Sequence, residues 1–267
     1  HRAHLSVRAI GARLQDFLTV WLTDRRGAGR SSRTTHRKAS WMAGPRMGRG
    51  VALVAAAAVA GSVAAWMFNH GQCCVAGTRM FVQRDIFDDF TQAVADAAAQ
   101  AKIGPGLDPT TELGPLVSQE QFDRVSGYIE AGLADGGRAL TGGKRWGESG
   151  YFIEPTVFVD VEPGFSVVDE EIFGPVVAAL PFDDEEDIAA AANKSIYGLA
   201  AGIWTKDLSK AHRTAAAVQA GSVWVNQYNG FDTALPFGGF KQSGWGRELG
   251  DSAIDLYTQV KAVNIAL

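Results

Sequence analysis

The chain has 267 residues, of which 25 are basic and 29 acidic. This near balance gives no indication of a nucleic-acid partner, and the length allows one or two domains with a packed core. The two cysteines, Cys73 and Cys74, are adjacent, which excludes a disulfide framework and offers too few ligands for a zinc site. They are therefore either structural thiols or a nucleophile with a neighbour.

Charge is distributed unevenly along the chain. Residues 1–50 contain ten arginines and one lysine against two aspartates, a net +9, so the remainder carries −13 of the overall −4. An arginine-rich, acid-poor composition is typical of organellar transit peptides. A disordered tail, or a stretch translated from an unrelated reading frame, is the favoured explanation. We predict an irregular basic segment over 1–50 that is separate from the rest of the chain.

Residues 51–68 are uncharged and come directly after Arg46 and Arg49. Eighteen such positions with positive flanking charge are typical of a transmembrane or signal-anchor helix. Alanine dominates the segment, however, and it is the best helix former while being far less lipophilic than leucine. The pattern predicts a helix and leaves open whether it lies in a membrane or in a protein core.

Strand and helix patterns alternate after the cysteines, which predicts an α/β fold with a mostly parallel twisted sheet and helices on both faces. Ser118 is the predicted N-cap of the second of these helices, and Gly136 and Gly137 end it. The predicted strands are 79–83, 138–141, 152–159, 176–182, 203–205, 223–226 and 258–266. The predicted helices are 85–102, the one that begins after Ser118, 184–192 and 208–219, and 103–111 is a predicted loop.

Several ordered segments resemble the aldehyde dehydrogenase family. Gly-Gln-Cys-Cys at 71–74 is similar to its active-site cysteine segment. Further matches occur in family order from about residue 51 to 261, and they are Gly-Pro-Leu-Val-Ser at 114–118, Glu-Ile-Phe-Gly-Pro at 171–175, Tyr-Gly-Leu-Ala at 197–200, Trp-Val-Asn at 224–226 and Pro-Phe-Gly-Gly-Phe-Lys-Gln-Ser-Gly at 236–244. The family places a helix directly before its cysteine, so 51–68 is interpreted as a helix of a soluble, cytoplasmic protein with no membrane partner.

The resemblance implies oxidation of a small-molecule aldehyde with NAD or NADP. It assigns the nucleophile to Cys74, because a thiolate can add to a carbonyl and later leave as a thioester. Glu171 is then a contact to the nicotinamide ribose, Phe173 packs near the nicotinamide ring, and Gln121 makes a further ribose contact. From the residues alone, the preferred interpretation of Glu171 is that it forms a solvated acidic pair with Glu170. A catalytic pairing of His70 with Cys74 has no counterpart in the family.

The resemblance also implies a substrate tunnel built from residues after the Trp-Val-Asn segment. Asn226, Phe231 and Phe237 are its predicted substrate-binding residues, with Tyr228 as a further contributor. Aromatic walls suit an apolar or aromatic aldehyde, although ordinary core packing is the competing explanation for Phe237. Glu248 matches a second family glutamate that relays protons from the deacylating water, and a surface carboxylate is the alternative.

Other family features have no counterpart in the chain. The general-base glutamate should lie about 34 residues before Cys74, where Ser40 stands, and residues 1–50 contain no glutamate. The oxyanion asparagine, the adenosine-side lysine and the glycine-rich pyrophosphate turn have no match either. The interpretation is a fragment with a catalytic domain over 51–250 and a tail over 251–267 that assembles homo-oligomers through its closing strand. A non-catalytic oligomerising remnant of the same fold is the alternative.

Overall fold

The computed structural model describes residues 18–19, 49–183 and 185–267. Nearly all of the predicted basic segment, including Ser40, therefore lies outside the described residues. The first described elements are a two-residue strand, β1 (Leu18–Thr19), and helix α1 (Arg49–Met67). The helix predicted over 51–68 is thus confirmed, and it buries Ala58, Val59 and Trp66 against the rest of the chain. No helix in the described part of the chain has the length and apolar character needed to cross a membrane.

The largest sheet has four strands, which are β2 (Arg79–Gln83), β3 (Arg138–Thr141), β4 (Thr156–Val159) and β5 (Val176–Phe182). Their order across the sheet is β2–β5–β4–β3. β2 and β4 run parallel to β5, and β3 closes the edge antiparallel to β4. Every residue of β4 is buried, which shows that both faces of the sheet are covered, as a parallel sheet requires.

Three helices pack around this sheet. They are α2 (Phe87–Ala98), α3 (Gln119–Ala134) and α4 (Ser166–Asp169). The predicted cap of α3 is confirmed, since Ser118 Oγ accepts a hydrogen bond from the Gln121 backbone N–H at 3.2 Å. α2 buries Phe90, Val94 and Ala98 along one face, and it begins after a 3₁₀ turn (Arg84–Ile86) rather than at residue 85.

The second half of the chain forms two smaller sheets. In one, β7 (Ala200–Thr205) pairs in parallel with β8 (Ser222–Val225) and antiparallel with β1. In the other, β6 (Tyr197–Gly198) pairs antiparallel with β9 (Phe240–Lys241). Helices α5 (Glu185–Asn193) and α6 (Leu208–Ala217) flank these strands. The longest ladders are parallel ones, so the predicted α/β fold with mostly parallel strands is confirmed.

The strand predicted over 258–266 is wrong. After a 3₁₀ helix (Asp251–Leu256), the described chain continues to Leu267 without a strand. The side chains of Val260, Val263 and Ile265 are largely or fully exposed. A strand needs a neighbouring strand to pair with its N–H and C=O groups, and the described residues offer none to this segment.

Candidate active site

Residues 69–76, which contain both cysteines and are called the cysteine turn below, begin with a sharp reversal of the chain at the end of α1. Asn69, His70 and Gly71 all have positive φ, at 50°, 60° and 69°. Gly71 then passes so close to the Gly174 carbonyl that a Cβ at Gly71 would lie 1.9 Å from its oxygen. Because both contacting groups are backbone, only glycine allows the cysteine turn to approach the loop that carries Glu171 and Phe173.

Side-chain hydrogen bonds fix the same turn from another side. Gln72 Oε1 accepts a hydrogen bond from the Val117 backbone N–H at 3.0 Å. Asn69 Nδ2 donates to the Gln72 carbonyl at 2.8 Å. The segment 114–118, which resembles the family in sequence, is therefore joined directly to the cysteine segment in space.

A cavity of about 350 Å³ opens beside the turn. Its lining includes Cys73, Cys74, Glu171, Phe173 and Tyr228. Three of the eight predicted site residues thus share one cavity, although nearly a hundred positions separate Cys74 from Glu171 and Phe173 in the sequence. Glu171 is exposed and Phe173 half-buried, so both present atoms to the open space.

The Cys74 thiol is more weakly acidic than a free cysteine. Partial burial raises its pKa, and the neighbouring Cys73 raises it further. Hydrogen bonds from the backbone N–H groups of Cys74 and Val75 act in the opposite direction without prevailing. At neutral pH the thiol is mostly protonated, so a base must remove its proton before the sulfur can act as a nucleophile.

Helix α3 holds the loop that carries Glu171 and Phe173. The Gln121 side-chain amide donates to the carbonyls of Ile172 at 3.2 Å and Phe173 at 2.7 Å. Arg124, which lies on the same face of α3 as Gln121, donates to the Glu171 carbonyl. Gln121 is not part of the cavity lining, and its amide hydrogens bind the loop backbone rather than pointing into open space.

Sequence reasoning missed two further residues of α3, Arg124 and Tyr128, that help to hold this loop. Tyr128 donates to the Glu170 carboxylate at 2.7 Å, and the Arg124 guanidinium lies 5.1 Å from the centre of the Tyr128 ring. The spacing of Gln121, Arg124 and Tyr128 places them on one face of α3, and this helical periodicity was the available signal. Nothing in the sequence indicates that this face meets the loop.

Asn226, Phe231 and Phe237 lie outside the cavity lining, whereas Tyr228, the further predicted contributor, is part of it. The Asn226 side chain is bound to the backbone of β7, accepting from the Thr205 N–H and donating to the Thr205 carbonyl, both at 2.8 Å. Phe231 and Phe237 stack edge to face with ring centroids 5.3 Å apart, and Phe231 contacts Trp224 at 5.4 Å. In this arrangement Asn226 fixes the end of β8. The two phenylalanines and Trp224 form a continuous row of rings, called the aromatic row below.

Glu248 lies at the far end of that row. Its backbone N–H and C=O both pair with Phe237, at 2.7 and 2.6 Å, and its side chain is exposed. The structure therefore joins Glu248 to Phe237 and not to the cavity that contains Cys74.

His70 is also turned away from the cavity lining. A Cβ placed on Gly114 would lie 3.0 Å from His70 Nε2, so the imidazole packs closely over that glycine. Burial lowers the pKa of His70, which keeps the ring neutral near neutral pH. Across the part of the chain that the structure describes, no cluster of His, Cys, Asp and Glu is suited to hold a metal ion.

A sequence profile of the aldehyde dehydrogenase family matches residues 53–263. The chain belongs to the aldehyde dehydrogenase family. The match includes every residue that lines the cavity, and its bounds agree with the resemblance seen from about residue 51 to 261.

Curated relatives support the same family. A protein named putative aldehyde dehydrogenase DhaS from Bacillus subtilis is 49% identical over 210 residues, covering 79% of this chain and 42% of that protein. The human mitochondrial aldehyde dehydrogenase is 48% identical over 201 residues, covering 75% of this chain and 39% of its own length. The chain therefore spans about two fifths of the length of the relatives it matches.

Solved aldehyde dehydrogenases superpose on the same region. The NAD⁺ complex of the Bacillus cereus enzyme matches with a TM-score of 0.76 at 49% identity, covering 78% of this chain and 42% of that chain. Indole-3-acetaldehyde dehydrogenase of P. syringae, in complex with NAD⁺ and IAA, matches with a TM-score of 0.77 at 47% identity and covers 79% and 43%. At 47% and 49% identity, these two enzymes resemble the chain in sequence as well as in fold.

Proposed function

We propose that this chain forms the cysteine-bearing part of an NAD(P)-dependent enzyme that oxidises an aldehyde to a carboxylic acid. The observation that carries the proposal is the shared cavity of Cys74, Glu171 and Phe173. The printed names of the relatives, and the NAD⁺ in the two solved complexes, support the same reaction class. The exposed sulfur at the cavity wall is a suitable attacking atom for a small carbonyl compound.

Cys74 has two tasks in the proposed reaction. Its thiolate adds to the aldehyde carbon to form a thiohemiacetal, and after loss of hydride it carries the acyl group as a thioester that water hydrolyses. Bound NAD(P) supplies the hydride acceptor. Because the pKa of the Cys74 thiol is raised, we expect the attacking form to become more abundant as the pH increases.

Glu171 and Phe173 are the described residues proposed to hold the nicotinamide end of the cofactor. Glu171 offers an exposed carboxylate to ribose hydroxyl groups, and Phe173 offers a half-buried ring. These two residues therefore fit this end of the group. We assign Gln121 to the cofactor site through the loop that it binds, since its amide already donates to Ile172 and Phe173.

Substrate selection is proposed for the aromatic row. Phe231, with 54% of its surface exposed, and half-buried Phe237 would contact an apolar or aromatic aldehyde, while Asn226 supports the turn from which they project. Glu248 is proposed as a proton relay beside this row. Both assignments require the row to face the substrate path.

Thiol-dependent ester hydrolysis tests the assignment of Cys74. With 4-nitrophenyl acetate, we expect Cys74→Ala to abolish turnover and Cys73→Ala to retain most of it. The two thiols are adjacent, so this pair of variants controls for general disturbance of the turn. Equal loss in both variants, or full activity in Cys74→Ala, would remove the nucleophile from the proposed mechanism.

An assembly function without catalysis is a second candidate, and the tail over 251–267 supports it. Val263, Ile265 and Leu267 alternate along the chain and are between 73% and 121% exposed. An unpaired segment with apolar side chains on one side is suited to add a strand to another copy of the chain. Sedimentation of the full chain against a chain ending at Leu256 tests this, and an unchanged oligomeric state would exclude the tail as the interface.

A further inference from the structure

Tyr228 connects the cysteine turn to the sheet formed by β7 and β8. Its hydroxyl donates a hydrogen bond to the Val75 carbonyl at 2.7 Å, across 153 positions of sequence. The ring lies on Gly202 of β7, where an added Cβ would be 2.5 Å from Tyr228 Cδ2. On another side the ring meets Trp224, with centroids 4.9 Å apart. These contacts leave the phenol little freedom to move away from the turn.

The carbonyl that Tyr228 holds belongs to a residue that acts on the sulfur. The backbone N–H groups of Cys74 and Val75 lower the pKa of the Cys74 thiol, because they favour the charged sulfur. Burial and the neighbouring Cys73 favour the neutral thiol. The Val75 carbonyl and the Ala76 N–H belong to one planar peptide unit, and this N–H donates to the Cys73 carbonyl at 2.9 Å. The hydrogen bond from Tyr228 therefore restrains the turn that contains Cys74.

The Tyr228 hydroxyl remains a donor over the pH range in which a thiol titrates. Burial raises the pKa of Tyr228, and charge on Cys73 raises it further. The phenol therefore stays protonated while Cys74 loses its proton. The hydrogen bond to Val75 is consequently present in both protonation states of the nucleophile.

We propose that Tyr228 is a positioning residue for the Cys74 nucleophile, because its hydroxyl binds the Val75 carbonyl and so holds the turn that contains the sulfur. This inference rests on the proposed function, in which Cys74 is the attacking atom. Tyr228 touches neither the reacting carbon nor the hydride in this role. Its effect is on how easily the thiolate forms.

The test is the pH dependence of iodoacetamide labelling in the full chain, with Cys73 and Cys74 followed separately by peptide mass spectrometry. Loss of one hydrogen bond in Tyr228→Phe is expected to lower the Cys74 rate near neutral pH about five-fold. The midpoint of the Cys74 profile should move to higher pH while the Cys73 profile stays in place. A merely structural role would instead loosen the turn and raise both labelling rates.

Two further variants make the result decisive. Tyr151→Phe is the matched control, because it removes the same atom from a partly exposed ring beside Phe122, and it should leave the Cys74 profile unchanged. Gly77→Ala perturbs the bond from the cysteine side, since its Cβ would lie 3.3 Å from Tyr228 Oη and 3.1 Å from Ala65 Cβ. We expect it to slow Cys74 labelling in the same direction as Tyr228→Phe.

The outcomes separate this inference from the proposed function. If Cys74 of the unaltered chain shows no faster, pH-dependent labelling than Cys73, the proposed function fails. If that preference is present but neither Tyr228→Phe nor Gly77→Ala changes the Cys74 profile, the positioning role alone is overturned. Should Tyr228→Phe not fold, Gly77→Ala decides the question by the same criterion.

Discussion

Replacement of Gly71 by alanine tests the contact on which the geometry of the site depends. Gly71 has φ of +69°, and its added Cβ would lie 1.9 Å from the Gly174 oxygen and 2.9 Å from the Pro175 nitrogen. The left-handed backbone costs an alanine roughly 1–2 kcal/mol. Overpacking against backbone adds about 1–3 kcal/mol, because backbone atoms cannot rotate away as a side chain can. We therefore expect Gly71→Ala to lose about 2–5 kcal/mol in the free energy of unfolding.

Gly147→Ala is the control for this substitution. Gly147 has the same φ of +69°, but it is exposed and no atom lies within 4 Å of its added Cβ. It shares the backbone strain of Gly71→Ala, and the two substitutions restrict the unfolded chain equally. The difference between the two variants therefore isolates the steric contact between the cysteine turn and the loop that carries Glu171.

Urea unfolding of the two variants measures this difference directly. The Gly71 variant should also lose the preferential labelling of Cys74, since the turn must move by more than 1 Å to relieve the clash. If the two variants differ by less than about 0.5 kcal/mol, the size of an ordinary surface substitution, the close approach at Gly174 does not exist in solution.

Three further experiments test other contacts of the same structure. In α3, the added Cβ of Gly127→Ala meets no atom, so this variant should raise the free energy of unfolding by about 1 kcal/mol. The added Cβ of Gly132→Ala would lie 2.7 Å from a methyl carbon of buried Val167, so this variant should lower the free energy of unfolding by about 1–2 kcal/mol. Urea unfolding compares the two variants. Gln121→Ala removes two hydrogen bonds to the loop and should cost about 1–2 kcal/mol, while Gln119→Ala, which loses an exposed bond to its own helix, should stay within about 0.5 kcal/mol. Because the pKa of Cys74 is raised, its iodoacetamide labelling should have a midpoint above the value of about 8.5 for a free thiol, and a midpoint below that value would contradict the partial burial of the sulfur.

Local patterns in the sequence were sufficient for most individual elements. The bounds of β2, β3 and β5 agree with the predicted strands, since apolar runs with turn residues at their ends are local signals. The cap at Ser118 is equally local, because the side chain binds a backbone N–H three residues away. The closing strand failed for the opposite reason, as pairing depends on a neighbour that the segment itself does not contain.

The resemblance of short segments to the family identified the candidate residues, but not how they are arranged. Cys74, Glu171 and Phe173 were named from the sequence, and the structure places all three on one cavity. Gln121, Asn226 and Glu248 were named in the same way, but none of them lines that cavity. The side chains of Gln121 and Asn226 bind the backbones of a loop and a strand, and the backbone of Glu248 pairs with Phe237. A motif specifies residue types in order, whereas the direction of a side chain depends on which distant backbone groups it meets.

By itself, the sequence determined the family, the α/β class and the identity of the cysteine pair, because these depend on residue type and on spacing along the chain. Only the tertiary structure decided that α3 holds the loop of Glu171, that Tyr228 binds the carbonyl of Val75, and that the Cys74 thiol is less acidic than a free one. Each of these depends on burial or on a hydrogen bond between segments separated by about 50 to 150 positions. Such contacts exist only after the chain has folded, and no local pattern of residues encodes their distances.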